Sequence, residues 1–274
     1  MTTITVNNKT LDLSVPQVMG ILNVTPDSFS DGGHYTHIDA ALAQAQQMLA
    51  DGATILDIGG ESTRPGAEAV SEEVELERVI PLIQAIRQHS DCWISVDTSK
   101  AAVMTAAIAA GADLINDVCA LQNQGCLEAV AASHLPVCLM HMQGSPRTMQ
   151  LNPEYGDVVV DVKAFFQSRI EACISAGIER DRIILDPGFG FGKTLEQNYQ
   201  MLARMTEFAD LELPILSGTS RKSMIGNLLN RNIDERLAGS LATAIIAAQN
   251  GASIIRVHDV KETVDALAVL AAAQ

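Results

Sequence analysis

Eight short, almost wholly apolar runs recur along the chain at 18–23, 54–58, 93–97, 114–117, 137–141, 183–186, 214–217 and 253–258. Each is followed by a stretch with helical spacing, at 39–50, 72–88, 101–110, 126–133, 158–176, 195–208, up to 250, and 260–273. A strand that is apolar on both faces belongs in a buried parallel sheet. Eight strand-then-helix units in 274 residues predict an α/β fold of the (β/α)8 TIM-barrel type rather than a doubly wound sheet. Before them, 4–6 and 11–13 flank Asn7-Asn8-Lys9, a turn composition that predicts a short β-hairpin closing the bottom of the barrel. No Pro-, Ser- or charge-rich linker divides the chain. The expected organisation is therefore one domain over 1–274, with a hairpin at 1–14 and a barrel at 15–274.

In a barrel of this kind, chemistry gathers where the strands end. Every predicted strand ends in something polar: Asn23, Asp57, Asp97, Asn116 with Asp117, His141, Asp186, Ser217, and Arg256 with His258. Helix capping alone calls for some of these, but a complete ring of eight exceeds that need. Asp97, Asn116 and Asp186 are a set of donors and acceptors whose burial costs free energy unless each is paired. A flat, nitrogen-rich heterocycle would pair them. Arg256 and His258, two residues apart, share one side of a strand, and their chemistry suits a phosphate. Asn23 and Asp31 offer hard oxygens of the kind Mg2+ takes beside phosphate.

Charge sharpens this reading. The net charge is −15, which disfavours nucleic acid or an anionic membrane surface as partner. Basic residues at successive strand-end loops (Arg64, Arg221, Lys222, Arg256) then mark an anion pocket, the competing reading being solvated surface charges. Five cysteines, an odd number with no C-x-x-C pair, fit free buried thiols in a reducing cytosol. No signal peptide precedes 18–23, and the most apolar helical stretch, 237–248, is interrupted by Gly239, Ser240 and Thr243.

Two long polar segments follow the first two strands, 23–33 and 59–70, where most such connections take roughly 2–6 residues. A third segment, Asp186-Pro-Gly-Phe-Gly-Phe-Gly-Lys-Thr194, fails the P-loop pattern because Pro187 stands where its first Gly belongs. It also lacks the last Gly of the dinucleotide fingerprint. A loop that brings backbone close to a ligand, with Phe189 or Phe191 as a wall, is the better expectation. No His and Cys spacing fits zinc, and there is no G-x-S-x-G.

These stretches resemble the dihydropteroate synthase family in order and nearly from end to end. The segment from Gly20 to Gly33 (GILNVTPDSFSDGG) is similar to its first signature, and that from Asp57 to Gly66 (DIGGESTRPG) to its second. Val96-Asp97-Thr98, Ile115-Asn116-Asp117, the 186–193 segment, Ser220-Arg-Lys-Ser-Met-Ile-Gly226 and Arg256-Val-His-Asp259 continue the match. The resemblance implies condensation of a dihydropterin bearing a 6-hydroxymethyl diphosphate with 4-aminobenzoate, releasing pyrophosphate. It implies that Asp97, Asn116, Asp186 and Lys222 hold the pterin. It gives the diphosphate to Asn23, Thr63, Arg256 and His258, and Mg2+ to Asn23 with Asp31. Phe29, Thr63, Arg64, Pro65, Phe191, Lys222 and Ser223 are implied around 4-aminobenzoate, and Asp97, Asp186, Lys222 and Arg256 in catalysis. It also implies small-molecule partners only, a cytoplasmic homodimer, and a family targeted by sulfonamides. A pterin-binding methyltransferase domain and a non-catalytic pterin-binding homologue are the alternatives, although the first should lack the Thr25–Ser30 loop and Ser220–Ser223.

Overall fold

The computed structural model describes residues 2–24, 34–62, 69–144 and 153–273, with only the backbone at 34–37. Strands β1 (Thr3–Val6) and β2 (Lys9–Asp12) pair antiparallel as the expected hairpin. Asn7 and Asn8 take its turn with φ of 51° and 62°, the left-handed region that Asn tolerates. Eight further strands follow: β3 (Gln17–Asn23), β4 (Ile55–Gly59), β5 (Trp93–Asp97), β6 (Leu114–Asp117), β7 (Val137–Met140), β8 (Ile183–Asp186), β9 (Ile215–Ser217) and β10 (Ala252–Val257). All pair in parallel, and β10 closes onto β3, so the sheet is a complete barrel. Strands β4 and β5 are buried at every position, which is why their sequences do not alternate.

Helices α1 (His34–Ala50), α2 (Glu72–Arg87), α3 (Ala101–Ala110), α4 (Cys126–Ala131), α5 (Val158–Ser175), α6 (Leu195–Ala203), α7 (Ser223–Leu229), α8 (Leu237–Gln249) and α9 (Val260–Ala272) form the outer layer. Their starts are set locally. Ser71 caps α2 by accepting from the Val74 amide, and Thr194 and Gln197 form a reciprocal capping box on α6. The helix expected over 195–208 is shorter than its pattern. It stops at Arg204, whose guanidinium pairs with Asp157 and Glu207, and a 3-10 turn over Met205–Leu211 buries Met205, Phe208 and Leu211 instead. The helical sequence running to 250 divides in the same way at Asn230 (φ 51°), which ends α7.

The hairpin packs Ile4, Val6, Leu11 and Leu13 into the main core. Lys9 Nζ reaches Asp113 and the Cys92 carbonyl, immediately before β6 and β5. The hairpin therefore sits at the amino-terminal mouth of the barrel, where it was expected, and leaves the opposite mouth to the strand ends.

Candidate active site

The strand register brings the ring together. Asp97 pairs across with Gly59 on β4 and Asn116 on β6, in one layer near the carboxyl-terminal mouth, and Asn23 pairs with Gly59. A Cβ at Gly59 would lie 3.2 Å from Asn23 Oδ1 and 3.7 Å from the Asp97 Cβ, so the missing side chain leaves room for both.

Arg256, on β10, binds the ring from across the barrel. Its Nε donates to Asp57 Oδ2 at 2.6 Å and its Nη2 to Asp97 Oδ2 at 2.9 Å. Asp57 also accepts from Ser95 Oγ at 2.6 Å and Asn116 Nδ2 at 3.2 Å. Burial pushes Asp97 up to about 7 against the pull of Arg256, and the Asp57 carboxylate pushes the same way. The two carboxylates hold Arg256 protonated, its affinity for the proton raised above the usual guanidinium value despite burial. Asp97 Oδ1 and Ser217 Oγ are buried oxygens with no hydrogen-bond partner among the described residues.

Lys222 stands at the N-cap of α7, after Arg221 has reversed the chain with φ of 56°. Its Nζ donates to the Phe189 carbonyl at 2.5 Å and lies 4.7 Å from the centre of the Phe191 ring. Burial draws it down to about 8, with Asp186 opposing that shift. Asp186 is itself raised by burial, against Lys222 and the Gly188 amide, which donates to it at 2.8 Å. Phe191 is packed by Val118 and Met140. His258 is fixed by Ser220, whose Oγ lies 3.0 Å from Nδ1 and accepts from the His258 amide at 3.1 Å.

A cavity of about 400 Å³ opens among these groups. Asn23, Phe191, Lys222, Ser223, Arg256 and His258, all expected at the site, line it together. Asp97, Asn116 and Asp186 are not in that lining; Asp97 and Asn116 are tied to it through Arg256 and Asp57, and Asp186 through the Gly188 amide of the loop whose Phe189 carbonyl accepts from Lys222. Phe29, Asp31, Thr63, Arg64 and Pro65 lie outside the described residues. Asn23, whose side chain carries an amide oxygen, lines the same cavity as Arg256 and His258. That is one hard ligand of the type Mg2+ accepts when phosphate and water supply the rest. Among the described residues no group of three or more His, Cys, Asp or Glu could hold a metal alone.

Two members of the ring, Asp117 and His141, do other work, and so does the loop cation Arg221, although it also lines the cavity. Asp117 turns away and accepts from the amides of Cys119 and Leu121, shaping the turn after β6. His141 lies under the 187–192 loop against Lys193. Arg221 is turned onto Asp259. Asp57, by contrast, is more central than a strand-end position implies, because it anchors both Arg256 and Asn116. The available signal was a single carboxylate inside the apolar run Ile55-Leu-Asp-Ile-Gly59, which burial tolerates only with a partner.

A family model described as pterin binding enzyme matches residues 19–258. The chain is 58% identical over 263 residues to the dihydropteroate synthase of Haemophilus influenzae, covering 96% of each. The crystal structure of Yersinia pestis dihydropteroate synthase with a sulfonamide drug complex superposes with a TM-score of 0.95 at 59% identity, covering 99% of this chain and 98% of that one. The Xanthomonas albilineans dihydropteroate synthase with 4-aminobenzoic acid superposes at 0.94 and 50% identity, covering 100% and 98%.

Proposed function

The chain belongs to the dihydropteroate synthase family of pterin-binding transferases, and we propose that it condenses (7,8-dihydropterin-6-yl)methyl diphosphate with 4-aminobenzoate, giving 7,8-dihydropteroate and pyrophosphate. The observation that carries the substrate reading is Asp97 Oδ1, a buried oxygen with no donor to it among the described residues, in a layer shared with Asn116. A dihydropterin brings ring N–H and amino donors to such acceptors, and burial of the unpaired oxygen is costly without them. Lys222 supplies the complementary donor, and Asp186 faces it from β8.

The anionic end follows from Arg256 and His258, which meet Asn23 in one cavity. Arg256 is already oriented by Asp57 and Asp97, so it contributes charge to the diphosphate without reorganising. Mg2+, bound by Asn23 with Asp31 and the diphosphate oxygens, would neutralise charge on the leaving group. In this reading the C–O bond to the diphosphate breaks first. The methylene cation is delocalised into the pterin ring, where the carboxylates of Asp186 and Asp97 stabilise it. The neutral arylamine of 4-aminobenzoate, seated by Phe191, Lys222 and Ser223, then attacks the methylene carbon and loses its proton. Phe29, Thr63, Arg64 and Pro65 complete that pocket in the proposal.

A homodimer through α7 and α8 is the proposed assembly, supported by the exposure of Leu228, Leu229, Ile233, Leu237 and Ile246 on neighbouring turns. No helix among the described residues is long and apolar enough to cross a membrane; the cytoplasmic location is proposed on the five cysteines, an odd number with no C-x-x-C pair.

Pyrophosphate release, measured with the pterin diphosphate in the presence and absence of 4-aminobenzoate, tests the reaction. Sustained release that depends on 4-aminobenzoate is expected. Pterin binding without release would mark a binding homologue, and methyl transfer without release would mark the methyltransferase alternative.

A further inference from the structure

Lys193 takes no part in the reaction above, yet this ionisable side chain is 3% exposed, and burial draws it down to about 7 with Asp186 opposing that shift. Lysines are almost never buried so completely without a reason. An ammonium has three N–H donors, and here four acceptors surround them: His141 Nδ1 at 2.9 Å, the Gly188 carbonyl at 2.9 Å, the Phe191 carbonyl at 3.1 Å and, more distantly, the His141 carbonyl at 3.5 Å. His141 is held neutral by burial and by the adjacent ammonium, so Nδ1 is free to accept. Its ring is braced edge-on by Phe165, 4.9 Å away.

Two partners of Lys193, the Gly188 and Phe191 carbonyls, lie on one loop, and that loop touches the site in two places. The Gly188 amide donates to Asp186, and the Phe189 carbonyl accepts from Lys222. The carbonyls of residues 188 and 191 thus turn to Lys193, while the one between them turns to Lys222. Gly188 has φ of 71°, and a Cβ there would overlap the His141 carbonyl, so the loop lies directly on the strand end that carries His141. Asn198 Oδ1 and Tyr155 Oη pin it further, at the Gly190 amide (2.7 Å) and the Gly192 carbonyl (2.7 Å).

We propose that Lys193, seated on His141, is a positioning residue that fixes the carbonyl directions of the 187–192 loop and thereby sets Lys222 and Asp186 for the pterin. This rests on the proposed pterin site. With Lys193 removed, the Phe191 carbonyl loses the ammonium and the Gly188 carbonyl keeps only the Phe191 amide, at 3.1 Å; the loop can then shift, the Phe189 carbonyl leaves Lys222, and the Lys222 ammonium is no longer held across the Phe191 ring.

The test is a double-mutant cycle on kcat/KM for the pterin diphosphate, using Lys193→Met, Lys222→Met and the pair. Lys193→Met should lose about a hundredfold, the scale of a misplacement of about 1 Å. The double variant should lose no more than Lys222→Met alone, because both act through one group. Lys193→Gln, which keeps two donors, should recover part of the loss. If Lys193→Met does not fold, His141→Asn carries the same cycle, with an expected loss of about tenfold. Wild-type kinetics in the Lys193 or His141 variants, or losses that multiply in the double variant, overturn the proposal. Full pterin turnover by Lys222→Met would instead overturn the site reading on which it rests.

Discussion

The two mouths of the barrel are built from the same chemistry and finished differently. At the amino-terminal mouth Asp113, 1% exposed, accepts from Lys9 Nζ at 2.9 and 3.0 Å, from Arg87, and from the Ile94 amide at 3.0 Å. Arg87 spends its remaining donors on the carbonyls of Gly111 and Cys92. At the other mouth Asp57 and Asp97 share Arg256, but Asp97 Oδ1 and Ser217 Oγ have no partner among the described residues. A buried carboxylate between cations is therefore no sign of function in itself. The difference lies in what is left over. The lower cluster is closed by the chain, and the upper one is complete only when something else supplies donors.

Substitutions at the two ends should separate accordingly. Asp186→Asn keeps the side-chain shape but removes the charge facing the methylene cation, and turnover should fall about a thousandfold, the scale of losing one preorganised electrostatic group. The fold should survive, as measured by thermal unfolding. Retained pyrophosphate release in that variant would remove Asp186 from the mechanism. Asp113→Ala should do the reverse. It strands Arg87 and Lys9 beside a partly buried site and should cost about 3 kcal/mol in denaturant unfolding, while kcat/KM of the folded protein stays at the wild-type value. Loss of activity without loss of stability there would erase the distinction between the mouths.

Much of this contrast was legible in the sequence because it depends on period and position. Strands β5, β6 and β8 begin and end where their apolar runs do, and the polar residue at each exit is the one that enters the layer around Asp97 or the loop beside it. What the sequence hid is pairing across the barrel. Asp57 and Arg256 lie 199 positions apart, so no local pattern reveals that one is the counter-ion of the other. Lys193 reads as an ordinary surface lysine after a glycine run, and only the fold buries it. Asp117 and His141 occupy strand-end positions like those of Asn116 and Asp186 but point elsewhere, because successive strand residues face opposite sides and period alone does not say which side a run of polar residues serves. The extent of 195–208 and of the stretch to 250 was set by tertiary choices at Arg204 and Asn230 that helix propensity does not record.

Smaller effects sharpen the same contrast. Lys222 is drawn down to about 8 by burial, so the free protein loses that charge as pH rises through about 8. The kcat/KM for the pterin diphosphate should then fall about tenfold per unit on the alkaline side. Lys222→Arg, which stays protonated there, should flatten the limb at a lower plateau. An unmoved limb in that variant would assign it to another group.

The smallest expected effect is the most discriminating, because it pits stability against binding at a single hydroxyl. Ser217 Oγ is buried and has no partner among the described residues, a state that costs about 1–3 kcal/mol in lost hydration, whereas removing one oxygen leaves a void too small to cost as much. Relief of the unpaired hydroxyl should win, and Ser217→Ala should raise stability by about 0.5–1 kcal/mol in denaturant titration. If the hydroxyl is kept for a ligand, the same change should weaken pterin binding by calorimetry about three- to tenfold, since a bound partner would then be lost. A variant that is less stable and binds the pterin unchanged would make Ser217 a packing residue. Among the described residues of the strand layer, Asp97 Oδ1 would then be the one buried oxygen left without a partner, Glu75 Oε1 lying outside that layer on α2, and the case for an open upper mouth would rest on that atom rather than on the whole rim.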